Sequence, residues 1–199
     1  ALGGTVELHL TYDEEIGGTV GPGWLLEQGL TRPDMAICAG FSYAVTTAHN
    51  GCLHLEATVT GRLGHAAEPE RAVDALEAAT AILSALYEHR KTLTDIRSAV
   101  PGIESPTLVV GTIDGGINTN VVPDQVCFRI DRRIIPEETP EAVEAETRAV
   151  IETAAEALDG ISVDIDQILL ARPFAPVAGS EKLAEILCRH ATDIMGEPV

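Results

Sequence analysis

The hydrophobic pattern between Gly51 and Leu170 constrains the fold more than any other feature of the sequence. Residues 53–60 alternate between apolar and polar side chains, as a strand with one buried face does. Residues 72–90 then place apolar side chains at helical spacing, which predicts a long amphipathic helix. Two strand-like stretches, a second helical stretch and a last strand-like stretch follow, so the predicted order is strand, helix, strand, strand, helix, strand.

This order of elements predicts a ferredoxin-like βαββαβ domain, an α/β fold in which a four-stranded antiparallel sheet carries two helices on one face. Such a sheet keeps two edge strands, and the β-branched segment from Thr107 to Ile113 would form one of them. Edge pairing between two copies is a route to a dimer, so the pattern favours a homodimer formed through this domain.

The residues on either side of this domain indicate a second α/β structure. Thr5 to Leu10 is predicted to form a short apolar strand, and Met35 to Cys38 a buried one. Residues 22–28 and 180–194 have helical patterns, the latter with Ser180 as its N-cap.

The chain is therefore expected to have three parts and to be an excised piece of a longer protein. Residues 1–49 would be the first piece of a catalytic domain, residues 50–171 the complete inserted domain, and residues 172–199 the point where the catalytic domain resumes.

The charge of the chain limits what it can bind, and its cysteine content indicates where in the cell it acts. The formal net charge of −18 argues against nucleic acid and anionic membranes, since either would need a basic patch, and no apolar run is long enough to span a bilayer. A small-molecule substrate remains compatible with this charge, because a bound cation and one or two arginines dominate the field inside a cleft. The four widely spaced cysteines include no C-x-x-C pair, which favours reduced thiols and a cytoplasmic location.

Two adjacent carboxylates, Glu14 and Glu15, follow the first predicted strand and precede a glycine turn. Such a pair can divide the work of hydrolysis, because one carboxylate binds a metal and its neighbour takes a proton from the metal-bound water. The same turn is also typical of an ordinary solvated loop in a chain with 31 acidic residues. The residues alone leave both interpretations open.

Three motifs occur in one order along the chain. They are Asp-Glu-Glu-Ile-Gly at 13–17, Gly-Arg-Leu-Gly-His-Ala-Ala-Glu-Pro at 61–69, and Gly-Gly-Ile-Asn-Thr-Asn-Val-Val-Pro at 115–123 running on to Asp-Arg-Arg at 131–133. Together they resemble the M20 family of zinc-dependent peptidases and amidohydrolases, which includes acetylornithine deacetylase, succinyl-diaminopimelate desuccinylase and carboxypeptidase G. The resemblance covers nearly the whole chain and implies a central fragment that carries the dimerisation (lid) domain.

The resemblance implies a role for five residues. Glu14 would be the general base and Glu15 a zinc ligand. His65 would reach across the dimer from the lid and stabilise the oxyanion of the tetrahedral intermediate. Asn120 and Arg133 would hold the carboxylate of the substrate, a task suited to an amide donor and to a guanidinium that binds two oxygens at once.

The sequence departs from the family pattern at Gly40. A glutamate that binds a further zinc is expected there, and glycine has no side chain to bind metal, so a second zinc is in doubt; Asp34 and Cys38 are nearby but are interpreted as a loop acid and a core thiol. The remaining family ligands have no counterpart, and other histidines, His54 among them, are interpreted as structural or surface residues. Because one carboxylate does not hold zinc firmly, we expect this chain alone to be inactive and to carry no stoichiometric metal.

The sequence is consistent with two functions. The first is a fragment of a zinc-dependent (or cobalt-dependent) hydrolase that cleaves the amide bond of a small N-acyl amino acid or dipeptide-like substrate and forms a homodimer through the lid. The alternative is non-enzymatic: an M20-like protein that has lost its metal site, or a ferredoxin-like module that dimerises or binds a small ligand.

Overall fold

The chain divides into two compact units, which are described separately. The structure is a computed structural model that describes residues 3–38, 40 and 43–199, with the side chain of Glu14 left out. Ala48–Ala175 form one unit, here named the lid unit. Ala1–Thr47 and Pro176–Val199 form the other, here named the terminal unit. That the terminal unit consists of two pieces of a catalytic domain stays a prediction.

The regular elements are numbered in chain order. The helices are α1 (Trp24–Glu27), α2 (Ala75–Leu93), α3 (Pro140–Glu156) and α4 (Ser180–Met195). The strands are β1 (Gly51–Thr60), β2 (Gly64–His65), β3 (Thr107–Gly115), β4 (Val121–Val122), β5 (Gln125–Ile134) and β6 (Ser162–Ala171).

The lid unit has the ferredoxin-like βαββαβ fold predicted from the sequence. Its four long strands form one sheet in the order β3-β5-β1-β6, and every neighbouring pair is antiparallel. The strand β3 lies at an edge, as expected, and β6 at the other. The short strands β2 and β4 pair with each other as a separate ribbon, which the sequence did not predict.

The alternation of β1 and β5 explains which face of the sheet is covered. In β1 the apolar side chains are fully buried and their polar neighbours half-buried, and β5 repeats this pattern. Ala57 and Val59 of β1 and Val126, Phe128 and Ile130 of β5 pack with the apolar faces of α2 and α3 in the larger core. Leu53 and Leu55 of β1 and Ile134 of β5 form a smaller cluster with Val143 of α3. The opposite face, here named the outer face, carries the polar side chains of β1 and β5. Asp74 caps α2 by accepting the backbone N–H groups of Leu76 and Glu77.

One charged residue interrupts the apolar side of β5. Arg132 is only 1% exposed and lies between Leu53 of β1 and Leu108 of β3 in the strand register. Its Nη2 donates to Glu138 Oε1 at 2.5 Å, while Glu138 Oε2 accepts the backbone N–H of Ile135 at 3.0 Å. The ion pair therefore fastens the end of β5 to the loop that leads into α3.

The terminal unit contains the two predicted helices, α1 within residues 22–28 and α4 from Ser180, but its described residues do not form the two predicted strands. Thr5 to Leu10 and Met35 to Cys38 are exposed and belong to no strand, because a strand needs a backbone partner and none of the described residues pairs with them. Cys38 is therefore exposed, not a core thiol. Ser180 is the first residue of α4, not its N-cap, a position taken by Gly179 in the left-handed conformation.

Two further observations concern the described residues as a whole. The four cysteines are all free. No helix among the described residues is both long enough and apolar enough to cross a bilayer.

Candidate functional site

The acidic turn of the terminal unit is organised around Asp13, which is 2% exposed. Its Oδ2 accepts the backbone N–H groups of Val20 at 2.9 Å and Gly21 at 2.7 Å. A Cβ at Gly21 would lie 2.2 Å from Asp13 Oδ1, so the turn closes around this carboxylate only with glycine there. A buried Asp thus fixes the backbone that presents the two glutamates.

The two glutamates follow Asp13 in a short 3-10 helix, Glu14–Ile16. Glu15 is exposed, whereas the side chain of Glu14, the expected general base, lies outside the described part of the chain. The structure therefore places Glu15 at the surface of this turn and leaves the role of Glu14 a prediction.

The described residues do not by themselves fit a zinc site. Among them no group of three or more His, Cys, Asp or Glu side chains could hold a metal ion, and tight zinc sites use three or four protein ligands. Gly40 lies in open space, with nothing within 4 Å of the position a Cβ would take.

His65 of the lid unit lies in a loop that folds back on itself between β1 and α2. Arg62 and Val73 exchange two backbone hydrogen bonds, 2.9 and 2.8 Å long, which close the loop. A Cβ at Gly61 would lie 2.2 Å from the carbonyl oxygen of Val73, and one at Gly64 would lie 2.6 Å from the Cβ of Ala72. The two glycines of the second motif thus allow the close backbone approach that places His65.

A hydrogen bond sets the tautomer of the exposed His65 ring. The backbone N–H of Ala67 donates to His65 Nδ1 at 3.1 Å, so Nδ1 must carry a lone pair. In the neutral ring the proton is then on Nε2, which is left as a hydrogen-bond donor. This is the form that can stabilise a developing negative charge.

Asn120 lies beside His65. The ribbon of β2 and β4 pairs His65 with Val121, and the carbonyl oxygen of Asn120 accepts the backbone N–H of Ala66 at 3.0 Å. The Asn120 side chain is exposed, and its neighbour Asn118 acts as a turn residue whose Oδ1 accepts the N–H of Thr119 at 2.7 Å. The β2 and β4 ribbon thus brings the backbones of His65 and Asn120 next to each other.

Arg133 lies near the other end of β5, on the outer face. From Gln125 to Arg133 the strand extends about 26 Å at roughly 3.3 Å per residue, so Arg133 is far from the His65 and Asn120 pair of its own chain. Its side chain is 48% exposed and its Nη2 donates to Asp131 Oδ2 at 2.9 Å. The candidate substrate-binding residues of the lid unit therefore form two separate groups.

The sequence analysis missed two neighbours of Arg133 on the outer face. His54 and Cys52 of β1 lie opposite Asp131 and Arg133 of β5. Burial raises the pKa of the Cys52 thiol, so this cysteine is less ionised than an ordinary one. The i, i+2 spacing of Asp131 and Arg133 shows in the sequence that they share a face, but the register that adds His54 requires the pairing of β1 with β5.

The fold of the lid unit is that of a dimerisation domain found in peptidases. Residues 47–159 match the peptidase dimerisation domain of the M20 family, and the chain belongs to that family.

Relatives that match the chain are amide-bond hydrolases. The acetylornithine deacetylase of Myxococcus xanthus is 37% identical over 138 residues, which cover 67% of this chain and 36% of that enzyme. The succinyl-diaminopimelate desuccinylase of Granulibacter bethesdensis is 32% identical over 144 residues, with the same two coverages, 67% and 36%. The chain thus spans little more than a third of the length of these relatives.

Solved structures support the fold. The aminopeptidase PepT of Bacillus cereus superposes with a TM-score of 0.57 at 22% identity and covers 81% of this chain and 40% of its own. A hydantoinase/carbamoylase family amidase of Burkholderia vietnamiensis superposes with a TM-score of 0.55 at 24% identity, over 76% of this chain and 34% of its own.

Proposed function

We propose that the protein containing this chain hydrolyses the amide bond of a small N-acyl amino acid or dipeptide-like substrate. The observation that carries the proposal is the β2 and β4 ribbon, which sets His65 beside Asn120 and leaves His65 Nε2 as a hydrogen-bond donor. The membership of the chain in the M20 family and the amide-bond hydrolases among its relatives support the same reaction class.

In this proposal the lid residues stabilise charge. His65 donates to the oxyanion that forms when the amide carbon becomes tetrahedral, and the amide of Asn120 adds a second donor beside it. Arg133 binds the carboxylate of the substrate, because Nε and Nη1 of its guanidinium have no partner among the described residues.

The acidic turn would supply the proton transfer. Glu14 would act as the general base and later return the proton to the leaving amine, while Glu15 would be one ligand of a zinc or cobalt ion. The other ligands would come from residues outside these 199, as the share of the relatives that the chain covers allows. The expectation that the chain alone is inactive and metal-poor is part of the proposal.

The active form would be a homodimer, and no nucleic acid or membrane would take part. About 26 Å of β5 separates Arg133 from the His65 and Asn120 pair, a span that a small substrate does not bridge within one protomer. Two copies joined at β3 would offer each substrate groups from both chains. The four free cysteines favour action in the cytoplasm.

The experiment is an assay of the full-length protein that contains this chain, supplied with zinc or cobalt, on a panel of N-acetyl and N-succinyl amino acids. We expect hydrolysis of at least one of them. His65→Ala should lower kcat about 10²- to 10³-fold, as loss of an oxyanion donor does. Arg133→Met should mainly raise KM. The control is Glu88→Gln, a change in an exposed surface pair of α2 with Lys91. Absence of hydrolysis across the metal-loaded panel would falsify the proposal.

One observation favours the non-enzymatic alternative. Gly40 stands where the family resemblance expects a metal ligand, and a glycine has no side chain to bind one. A protein that dimerises and binds an N-acyl amino acid without cleaving it, in the presence of added metal, would establish this alternative.

A further inference from the structure

Three charged or titratable side chains meet on the outer face of the sheet, and the proposed reaction accounts for only one of them. They are His54 of β1 and Asp131 and Arg133 of β5, here named the Asp131 network. His54 and Asp131 are paired directly across the two strands, and Arg133 follows Asp131 on the same face. Their side chains are 35%, 32% and 48% exposed, so none is fully solvated.

A single oxygen of Asp131 lies within reach of both neighbours. Asp131 Oδ2 accepts Arg133 Nη2 at 2.9 Å and lies 3.3 Å from His54 Nε2. The second contact is close but not aligned as a hydrogen bond, and His54 Nε2 and Asp131 Oδ1 are both buried atoms without a hydrogen-bond partner among the described residues. The imidazole and the guanidinium thus both contact the same carboxylate oxygen.

This arrangement restricts the motion of the Arg133 guanidinium and leaves some of its hydrogen-bond donors unused by the described residues. A free arginine side chain loses rotamer entropy when it binds a ligand. The contact with Asp131 uses one nitrogen, Nη2, and leaves Nε and Nη1 of Arg133 without a partner among the described residues. The guanidinium is therefore held in place while it keeps donors for a carboxylate.

A neighbouring pair on the same face shows what an ordinary cross-strand ion pair is like here. Glu56 and Arg129 lie directly opposite each other on β1 and β5, with Arg129 Nε 2.6 Å from Glu56 Oε2. Neither residue belongs to a motif of the proposed site. This pair lies on the same face of the same two strands, two residues along from His54 and Asp131, and so provides a matched control.

We propose that Asp131 is a positioning residue for Arg133 and that His54 is a second positioning residue, which holds the Asp131 carboxylate against the guanidinium. The inference rests on the proposed function, since it assigns Arg133 the substrate carboxylate. Asp131 and His54 do not touch the substrate. They reduce the conformational freedom that Arg133 would lose on binding, and so they act on affinity for the carboxylate and not on bond cleavage.

The first test uses the 199-residue chain and no activity. Nitrogen-15 relaxation of Arg133 Nε reports how ordered the guanidinium is. Asp131→Asn and His54→Leu should lower its order parameter, the first change more than the second. Glu56→Gln should leave Arg133 unchanged. An Arg133 order parameter unaffected by Asp131→Asn and His54→Leu overturns the inference, whatever the protein catalyses.

The second test uses the full-length protein on a substrate that it hydrolyses. Asp131→Asn should raise KM about tenfold for a carboxylate substrate, equivalent to about 1.4 kcal/mol, with kcat within about twofold. It should leave KM unchanged for the matching carboxamide. Equal losses on both substrates, or a loss in kcat alone, would mean a merely structural role and would overturn the inference. If no substrate is hydrolysed but Arg133 loses order in the variants, the proposed function fails and the network stands.

Discussion

The position of His65 depends on two glycines in the loop between β1 and α2. Gly61 and Gly64 let the loop approach Val73 and Ala72 more closely than any side chain would permit. The loop then turns back through the Arg62 and Val73 hydrogen bonds and enters the ribbon that holds His65. A change at either glycine should displace the histidine without altering it.

The close contact between Gly64 and Ala72 can be tested by a substitution at Gly64 and by a second substitution at Ala72 that should reverse its effect. Gly64→Ala would bring two Cβ atoms to 2.6 Å, and we expect a loss of about 1–3 kcal/mol in the free energy of unfolding, as overpacking produces. Adding Ala72→Gly removes the clashing atom and should restore most of that loss, less about 0.5–1 kcal/mol for the new glycine. Urea unfolding of the single and double variants measures both values.

Gly61→Ala is the matched control for this rescue. There the new Cβ would meet the backbone oxygen of Val73 at 2.2 Å, so Ala72→Gly should not relieve it. An equal rescue of both variants would show that the spacing of the loop does not depend on these contacts.

At the residue scale, the sequence predicts which residues of one strand share a face, but not which residues of the neighbouring strand lie opposite them. The sequence could place Asp131 and Arg133 on one face because strand geometry repeats every two residues. It could not add His54, because that neighbour comes from the register between β1 and β5, which a single sequence does not specify. The role of Glu14 stays a prediction for a different reason, since its side chain lies outside the described part of the chain.

At the scale of elements, the joint between β5 and α3 depends on the buried pair of Arg132 and Glu138. Arg132 is 1% exposed and Glu138 13% exposed, so each charge has little access to water. Glu138 also accepts the backbone N–H of Ile135, which ties the pair to the loop itself. A buried ion pair of this kind is costly to break one partner at a time.

We expect Glu138→Ala to lower the free energy of unfolding by about 3–5 kcal/mol, because Arg132 would remain charged and without a carboxylate. A second test is a double-mutant cycle made of the unaltered protein, Arg132→Met, Glu138→Leu and the double variant. The double variant should lose less free energy of unfolding than the two single variants together, with a coupling energy of about 1–3 kcal/mol. Denaturant unfolding of the four proteins in this cycle measures the coupling. Additive losses would contradict the paired burial.

The elements that were predicted well from the sequence are those that pair or pack with other described elements. The strand β1, whose side chains alternate, pairs with β5 and β6. The helices α2 and α3, whose apolar side chains recur at helical spacing, pack on the same sheet. Thr5 to Leu10 has a comparable apolar pattern, yet it forms no strand among the described residues. A strand is stabilised by hydrogen bonds to a neighbour, so its pattern predicts a structure only where that neighbour exists.

For the whole molecule, the two edges of the sheet provide a test of the proposed homodimer. Val109 on β3 is 50% exposed and Ile168 on β6 is 48% exposed, so the two positions are matched in access to solvent. Lysine on an edge strand opposes pairing with another sheet. Val109→Lys should weaken dimerisation about tenfold or more, whereas Ile168→Lys should leave it unchanged, because only β3 is proposed to pair.

Sedimentation equilibrium at micromolar concentration measures both dissociation constants. A dimer that tolerates Val109→Lys but not Ile168→Lys would move the interface to β6. A chain that is monomeric before any substitution would contradict pairing through the lid altogether.

The distance along β5 that separates Arg133 from His65 and Asn120 has a genetic consequence. If each site takes Arg133 from one chain and the His65 and Asn120 pair from the other, defects in the two groups belong to different complementation classes. A subunit altered at Arg133 and one altered at Asn120, each defective alone, would together assemble one intact site in every mixed pair. Subunits altered at His65 and at Asn120 would not, since both defects fall on the same group.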